Sequence, residues 1–215
     1  MAYDLEEQES LEELKAWWGK WGTPIMAAVT VVCLAFAGMN GYRWYEKREA
    51  QNASVAYQSL LGAIATGAKD EQIAQISGQI KKDYADTVFA SLAALQVTKY
   101  ESARGENLKA ADELLWVIEK GKRPEFDTLA RLRLASLYID MKEPAKASAV
   151  LAAAKPGPQE KALVSDKMGD AAFAAGDRAQ ARKYWKEAAS GELESGIRAY
   201  VQLKIEALSG NLAKE

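Results

Sequence analysis

The sequence predicts an all-α protein in which a single N-terminal transmembrane helix is followed by an α-solenoid of paired helices and a C-terminal capping helix. Three observations predict it. Residues 22–42 are apolar, with no charged residue between Lys20 and Arg43. The remainder consists of alanine- and leucine-rich stretches of about a dozen residues, broken by Gly, Pro and Asp, and none alternates apolar and polar residues as a half-buried strand would. Near the C-terminus, residue types recur at a 34-residue interval.

The leader, residues 1–21, holds Asp4, Glu6, Glu7, Glu9, Glu12 and Glu13 against Lys15 and Lys20. Leu5, Leu11, Leu14, Trp17, Trp18 and Trp21 recur in it at spacings that align on one helical face, which predicts a short interfacial helix on the membrane surface. Residues 22–42 then reach about 31 Å at a helical rise of ~1.5 Å, the thickness of a hydrocarbon core. Tryptophans at 17, 18 and 21 precede this span, and Tyr42, Trp44 and Tyr45 follow it, where rings with one wet edge suit the headgroup level. A buried soluble helix of this length would show a polar stripe. Ala35-Phe36-Ala37 has the form of a signal-peptidase site, but the acidic leader lacks the basic start of a cleaved signal, so the segment reads as an uncleaved anchor. Within it, Ala37 and Gly41 form a small-xxx-small pair. Arg43, Lys47 and Arg48 after the span outnumber Lys15 and Lys20 by one, so charge bias favours a cytoplasmic C-terminal domain by a single residue.

Composition narrows the chemistry of residues 43–215. The 215-residue chain is 49% apolar and 27% charged. Its net charge of −2 divides into −4 on the leader and +2 beyond the span, too little basicity for nucleic acid. Histidine is absent from the sequence, and the one cysteine, Cys33, lies in the span. Histidine-based catalysis, thiolate chemistry and zinc ligation are thereby excluded from the soluble region, as is an intrachain disulfide. Nor does the sequence hold a phosphate-cradling glycine loop, a Gly-x-Ser-x-Gly elbow or metal-ligand spacing. No enzyme activity and no cofactor are expected.

Repetition organises the soluble region. Leu134, Ala135, Tyr138, Ala147, Leu151 and Ala154 are followed 34 residues later by Met168, Gly169, Ala172, Ala181, Trp185 and Ala188. That is the period of a tetratricopeptide repeat, a helix-turn-helix unit in which small residues let two helices cross closely and a large apolar one fills the space between units. Repeats are expected at about 88–120, 128–155 and 162–190. The first is degenerate: its Gly105, Ala110, Leu114 and Val117 stand 37 residues before Lys142, Ala147, Leu151 and Ala154. A further degenerate helix pair is expected over 46–85, broken near Thr66 to Asp70, with Tyr57, Leu60, Leu61 and Ile64 facing inward. Ile197, Val201, Ile205 and Leu208 give 195–209 one apolar face, as a capping helix needs. Within each repeat, first-helix positions line an exposed groove. The candidate partner-binding residues are therefore Leu132, Ser136, Ile139 and Asp140, then Asp166, Asp170 and Phe173, with Leu95 and Lys99 from the degenerate copy. A mixture of apolar and acidic side chains suits an extended or helical polypeptide better than a small ligand.

The acidic leader, the tryptophan-flanked span, the Ala56-Tyr57-Gln58 helix and the late Gly176-Asp177-Arg178-Ala179-Gln180-Ala181-Arg182 turn together resemble the YfgM family over nearly the whole chain. The resemblance implies a tetratricopeptide-repeat-like subunit of the bacterial inner membrane, accessory to the SecYEG translocon, with a cytoplasmic leader and a periplasmic repeat domain. It implies as partners the SecYEG channel, a PpiD-like membrane-anchored chaperone and unfolded secretory polypeptides, and it carries over no catalytic residue. It opposes the orientation suggested by charge. A cytoplasm-facing adaptor or regulatory scaffold is the alternative that the charge count allows.

Overall fold

The computed structural model of the protein describes the backbone of residues 2–212 and the side chains of residues 9–209, so the leader's Asp4, Leu5, Glu6 and Glu7 side chains lie outside it. The described residues form α1 (Ala2–Ala65), α2 (Asp70–Asp83), α3 (Val88–Ala103), α4 (Asn107–Glu119), a 3-10 turn (Pro124–Phe126), α5 (Asp127–Asp140), α6 (Pro144–Ala152), α7 (Lys161–Ala174), α8 (Arg178–Ser190) and α9 (Ser195–Leu212), with no strand among them. They divide into two compact units, Met1–Glu49 and Ala50–Glu215.

The first unit is the greater part of α1. The leader does not form a separate short helix: from Ala2 its backbone is already helical and runs into the span without a break. Val31, Leu34 and Phe36 are 65%, 67% and 60% exposed, so no described residue of their own unit covers them. A core helix of a soluble domain would be hidden, whereas this one is apolar and bare, which is what lipid contact demands. The Thr30 hydroxyl donates to the Met26 carbonyl at 2.8 Å, so it enters an apolar medium with its hydrogen bond made. The protein is membrane-anchored through this helix.

The second unit packs as a series of small cores in chain order. Leu60 at the end of α1 shares one with Ile73 and Ile80 of α2 and Ala90, Ala93 and Val97 of α3. Next, Ala94 of α3 joins Ala110, Ala111 and Leu114 of α4 and Leu134 of α5. Ala135, Ala147, Leu151 and Ala171 hold α5, α6 and α7 together, and Ala172, Ala181, Trp185, Val201 and Leu208 hold α7, α8 and α9. Alanine at so many contacts lets helix axes approach closely, and each pair touches only its neighbours, as in a repeat array.

The 34-residue period is visible in the helix boundaries themselves: Asp127 to Lys161, Asp140 to Ala174 and Pro144 to Arg178. At the turn inside each unit the backbone passes through positive φ, at Gly105 (80°), Lys142 (62°) and Gly176 (85°). Glycine suits that conformation and lysine does not, so the α5–α6 turn is the strained member of the set. Asp177 caps α8 by accepting the Gln180 amide at 2.9 Å. The helix α6 stops at Ala152, ahead of Pro156 and Pro158, since the residue before a proline avoids helical backbone.

The two best repeats use different sizes at one crossing. In the earlier unit Ala135 shares its core with Leu151; in the later one Gly169 faces Trp185 so closely that a Cβ at 169 would overlap the indole. The bulk gained at 185 is thus accommodated by the methyl lost at 169. Gly169→Ala is expected to destabilise the protein by about 1–2 kcal/mol through overpacking. In a Trp185→Leu background the same change should become neutral or stabilising by up to ~1 kcal/mol, because alanine is the better helix former. Urea unfolding of the four variants of this cycle measures the change of sign.

Candidate functional site

The first helices of successive units, α3, α5, α7 and α9, present side chains to two adjoining grooves that meet at Ser136. One, of about 380 Å³, is walled by Ser136, Ile139 and Asp140 of α5, Lys167, Asp170 and Phe173 of α7, the Trp185 ring, and Tyr200 and Lys204 of α9. The other, of about 290 Å³, lies between Thr98, Lys99 and Ser102 of α3 and Arg133, Ser136 and Leu137 of α5. A larger hollow of about 490 Å³ sits elsewhere, between the 121–127 loop and Lys155. Its walls are closed by their own pairs, Arg131 on Asp127 at 2.8 Å and Thr128 on Glu160 at 3.0 Å, which leaves the grooves over the first helices as the better site.

Of the residues expected from the sequence, Ser136, Ile139, Asp140, Asp170 and Phe173 meet in one groove, and Lys99 lines the other. The remaining three do not line either. Leu95 is 6% exposed and belongs to the core of α3, α4 and α5. Leu132 is half-buried against the core of α5, α6 and α7. Asp166 is turned to α9 and accepts from Lys204 at 2.8 Å. All three lie one helical turn before the groove-lining row, on the same face but where neighbouring helices close over it.

Lys204 is the centre of the polar wall. Its ammonium donates to Asp166 at 2.8 Å and Asp170 at 2.6 Å, and lies 5.5 Å from the Trp185 ring centre and 4.9 Å from that of Tyr200. The other Asp170 oxygen takes Lys167 at 2.9 Å, and the Trp185 Nε1–H reaches Asp170 and the Asp166 carbonyl at 3.2 Å each. Burial alone would lower the Lys204 pKa, but the hydrogen bonds and charges of Asp170 and Asp166 outweigh it and hold that pKa above the ordinary lysine value.

Both Asp170 oxygens are therefore committed, and the Ser136 hydroxyl donates to the Leu132 carbonyl at 3.1 Å. Above this wall Phe173 and Tyr200 stand 51% and 59% exposed. Exposed rings beside fixed charges can hold apolar side chains and orient a backbone.

The groove residues absent from the sequence-based set include Lys167, Ala174, Trp185, Tyr200 and Lys204 in the first groove and Thr98, Ser102, Arg133 and Leu137 in the second. A signal for two of them was present: Tyr200 and Lys204 stand 34 residues after Asp166 and Asp170.

Because the Lys204 pKa is raised in the folded protein, its stabilisation is complete below the unfolded lysine value and is lost as pH rises through the higher folded one. Lys204→Met should cost about 3 kcal/mol at neutral pH, leaving two poorly solvated carboxylates together. Above the ordinary lysine range, near pH ~10.5, the gap to the unaltered chain should close progressively. Thermal unfolding of both proteins across pH 7 to 11 follows it.

The family described as tetratricopeptide repeat-like domain matches residues 15–210. A protein of Escherichia coli (strain K12) named ancillary SecYEG translocon subunit is 25% identical over 205 residues, covering 94% of this chain and 97% of its own. Proteins of the same name from Haemophilus influenzae and Aggregatibacter actinomycetemcomitans are 25% and 27% identical, each covering 87% of this chain and 91% of their own. No solved structure matches the chain.

Proposed function

Because the chain belongs to the tetratricopeptide repeat-like domain family, whose helix pairs offer surface rather than catalysis, we propose that it is a membrane-anchored protein-binding subunit accessory to the Sec translocon. The observation that carries this reading is the similarity to ancillary SecYEG translocon subunits along 94% of the chain, anchor and repeats together. On this reading the leader lies in the cytoplasm and the repeat domain in the periplasm, where it holds a PpiD-like membrane-anchored chaperone and assists polypeptides as they emerge. The groove of α5, α7 and α9 supports it, with aromatic rings at the rim and a closed polar floor. Anchoring matters physically, since a short tether raises the local concentration of a weak binder to roughly millimolar. Each client can therefore be bound loosely and released.

The three bases after the span favour a second reading, a cytoplasm-facing adaptor. Protease added outside spheroplasts separates the two: the periplasmic reading expects the repeat domain to be digested, and its protection would favour the adaptor. Crosslinking in the same membranes is expected to capture translocon subunits and a membrane-anchored chaperone. Capture of neither would overturn the proposed association.

A further inference from the structure

Helix α9 begins at Ser195, 34 residues after α7 begins at Lys161, so it stands where a further unit would place its first helix. In α7, the residues that meet α8 or its end are Ala162 beside Gly191, Asp166 and Phe173 against Trp185, and Gly169 and Ala172 under the same indole. Thirty-four residues on are Gly196, Tyr200, Leu203, Glu206 and Ala207, and all five are exposed. The face of α9 on which a further unit would carry its second helix is thus left uncovered by the described elements of this unit, with Leu203 and Glu206 standing where α7 has Gly169 and Ala172.

The same face also carries the pattern of a second helix. In α4, α6 and α8 the inward pair is a small residue and a large one four positions later: Ala110 and Leu114, Ala147 and Leu151, Ala181 and Trp185, all buried. On α9 that pair recurs as Ala199 and Leu203, both exposed, with Leu203 60% accessible. Sizes at the crossing alternate in this chain, Ala135 with Leu151 and Gly169 with Trp185, so Leu203 calls for a small residue opposite.

We infer that α9 of a second copy of this chain covers the face, the two helices packing antiparallel about a two-fold axis. A two-fold axis across the helices makes them antiparallel, as the two helices of each repeat are. Each Leu203 then rests on Ala199 of the other copy, and each Glu206 lies beside Gly196 in the first turn of the other α9, where the helix dipole favours an acid. One helix pair buries less surface than a stable dimer in solution needs, so the pairing depends on the anchor confining both copies to one membrane. This goes beyond the translocon reading and does not rest on it.

The test uses the full chain with Cys33→Ala, reconstituted in liposomes as a mixture of Ala199→Cys and Leu203→Cys copies and mildly oxidised. The expected result is a disulfide-linked band of twice the mass, roughly tenfold stronger than from copies carrying Leu108→Cys, a more exposed site on α4. Gln202→Glu on both copies should weaken the band by a similar factor, because two acids would face each other near the axis, while circular dichroism stays unchanged. The inference is overturned by a band no stronger than the Leu108 control, or by one that Gln202→Glu leaves intact. It is also overturned if, in native membranes, a photocrosslinking residue at 203 joins α9 to a different protein in place of a second copy, which would give the face to a partner's helix.

Discussion

A pair of helices between nine and sixteen residues long cannot bury both of its apolar sides against itself, and that shortfall governs the second unit of this protein. Each pair keeps one seam for its own crossing and leaves another that only the next pair can cover. Four small cores in series, rather than one large one, are the direct result. The crossing seam tolerates little error, as the Gly169–Trp185 contact shows, and alanine dominates elsewhere because the axes must come close. Stacking in one direction also aligns the first helices side by side. The grooves over α3, α5, α7 and α9 exist because that alignment repeats.

The parts of this architecture that depend on a coarse physical property were legible in the sequence. A lipid span needs length and apolarity, and residues 22–42 announce both; a repeat needs a period, and residue types 34 apart reveal it. Phase around each helix was legible too, which is why Ser136, Ile139, Asp140, Asp170 and Phe173 converge. Depth along the helix was not. Leu95, Leu132 and Asp166 share that phase but sit one turn lower, where a neighbour closes over them, and periodicity carries no information about where helices converge. Lys204 and Tyr200 escape the sequence pattern for another reason. An apolar face over 195–209 marks α9 as a cap, yet α9 also keeps the 34-residue phase and supplies half the polar wall.

Charge in the groove serves construction before recognition. Asp166, Asp170, Lys167 and Lys204 satisfy one another across α7 and α9, and so fix the last first-helix against its predecessor. Beside them, Phe173 and Tyr200 stand open to solvent, with the exposed Asp140 lining the same groove. On the proposed reading such a surface accepts many sequences weakly, and confinement to the membrane substitutes for affinity.

Contact between this groove and polypeptide in transit is the most direct test of the proposed role. A photocrosslinking residue placed at Phe173 in membranes holding an arrested, partly exported chain should attach to that chain, while the same residue at Leu108 on α4 should not. Equal attachment from both positions, or attachment from neither, would contradict that role.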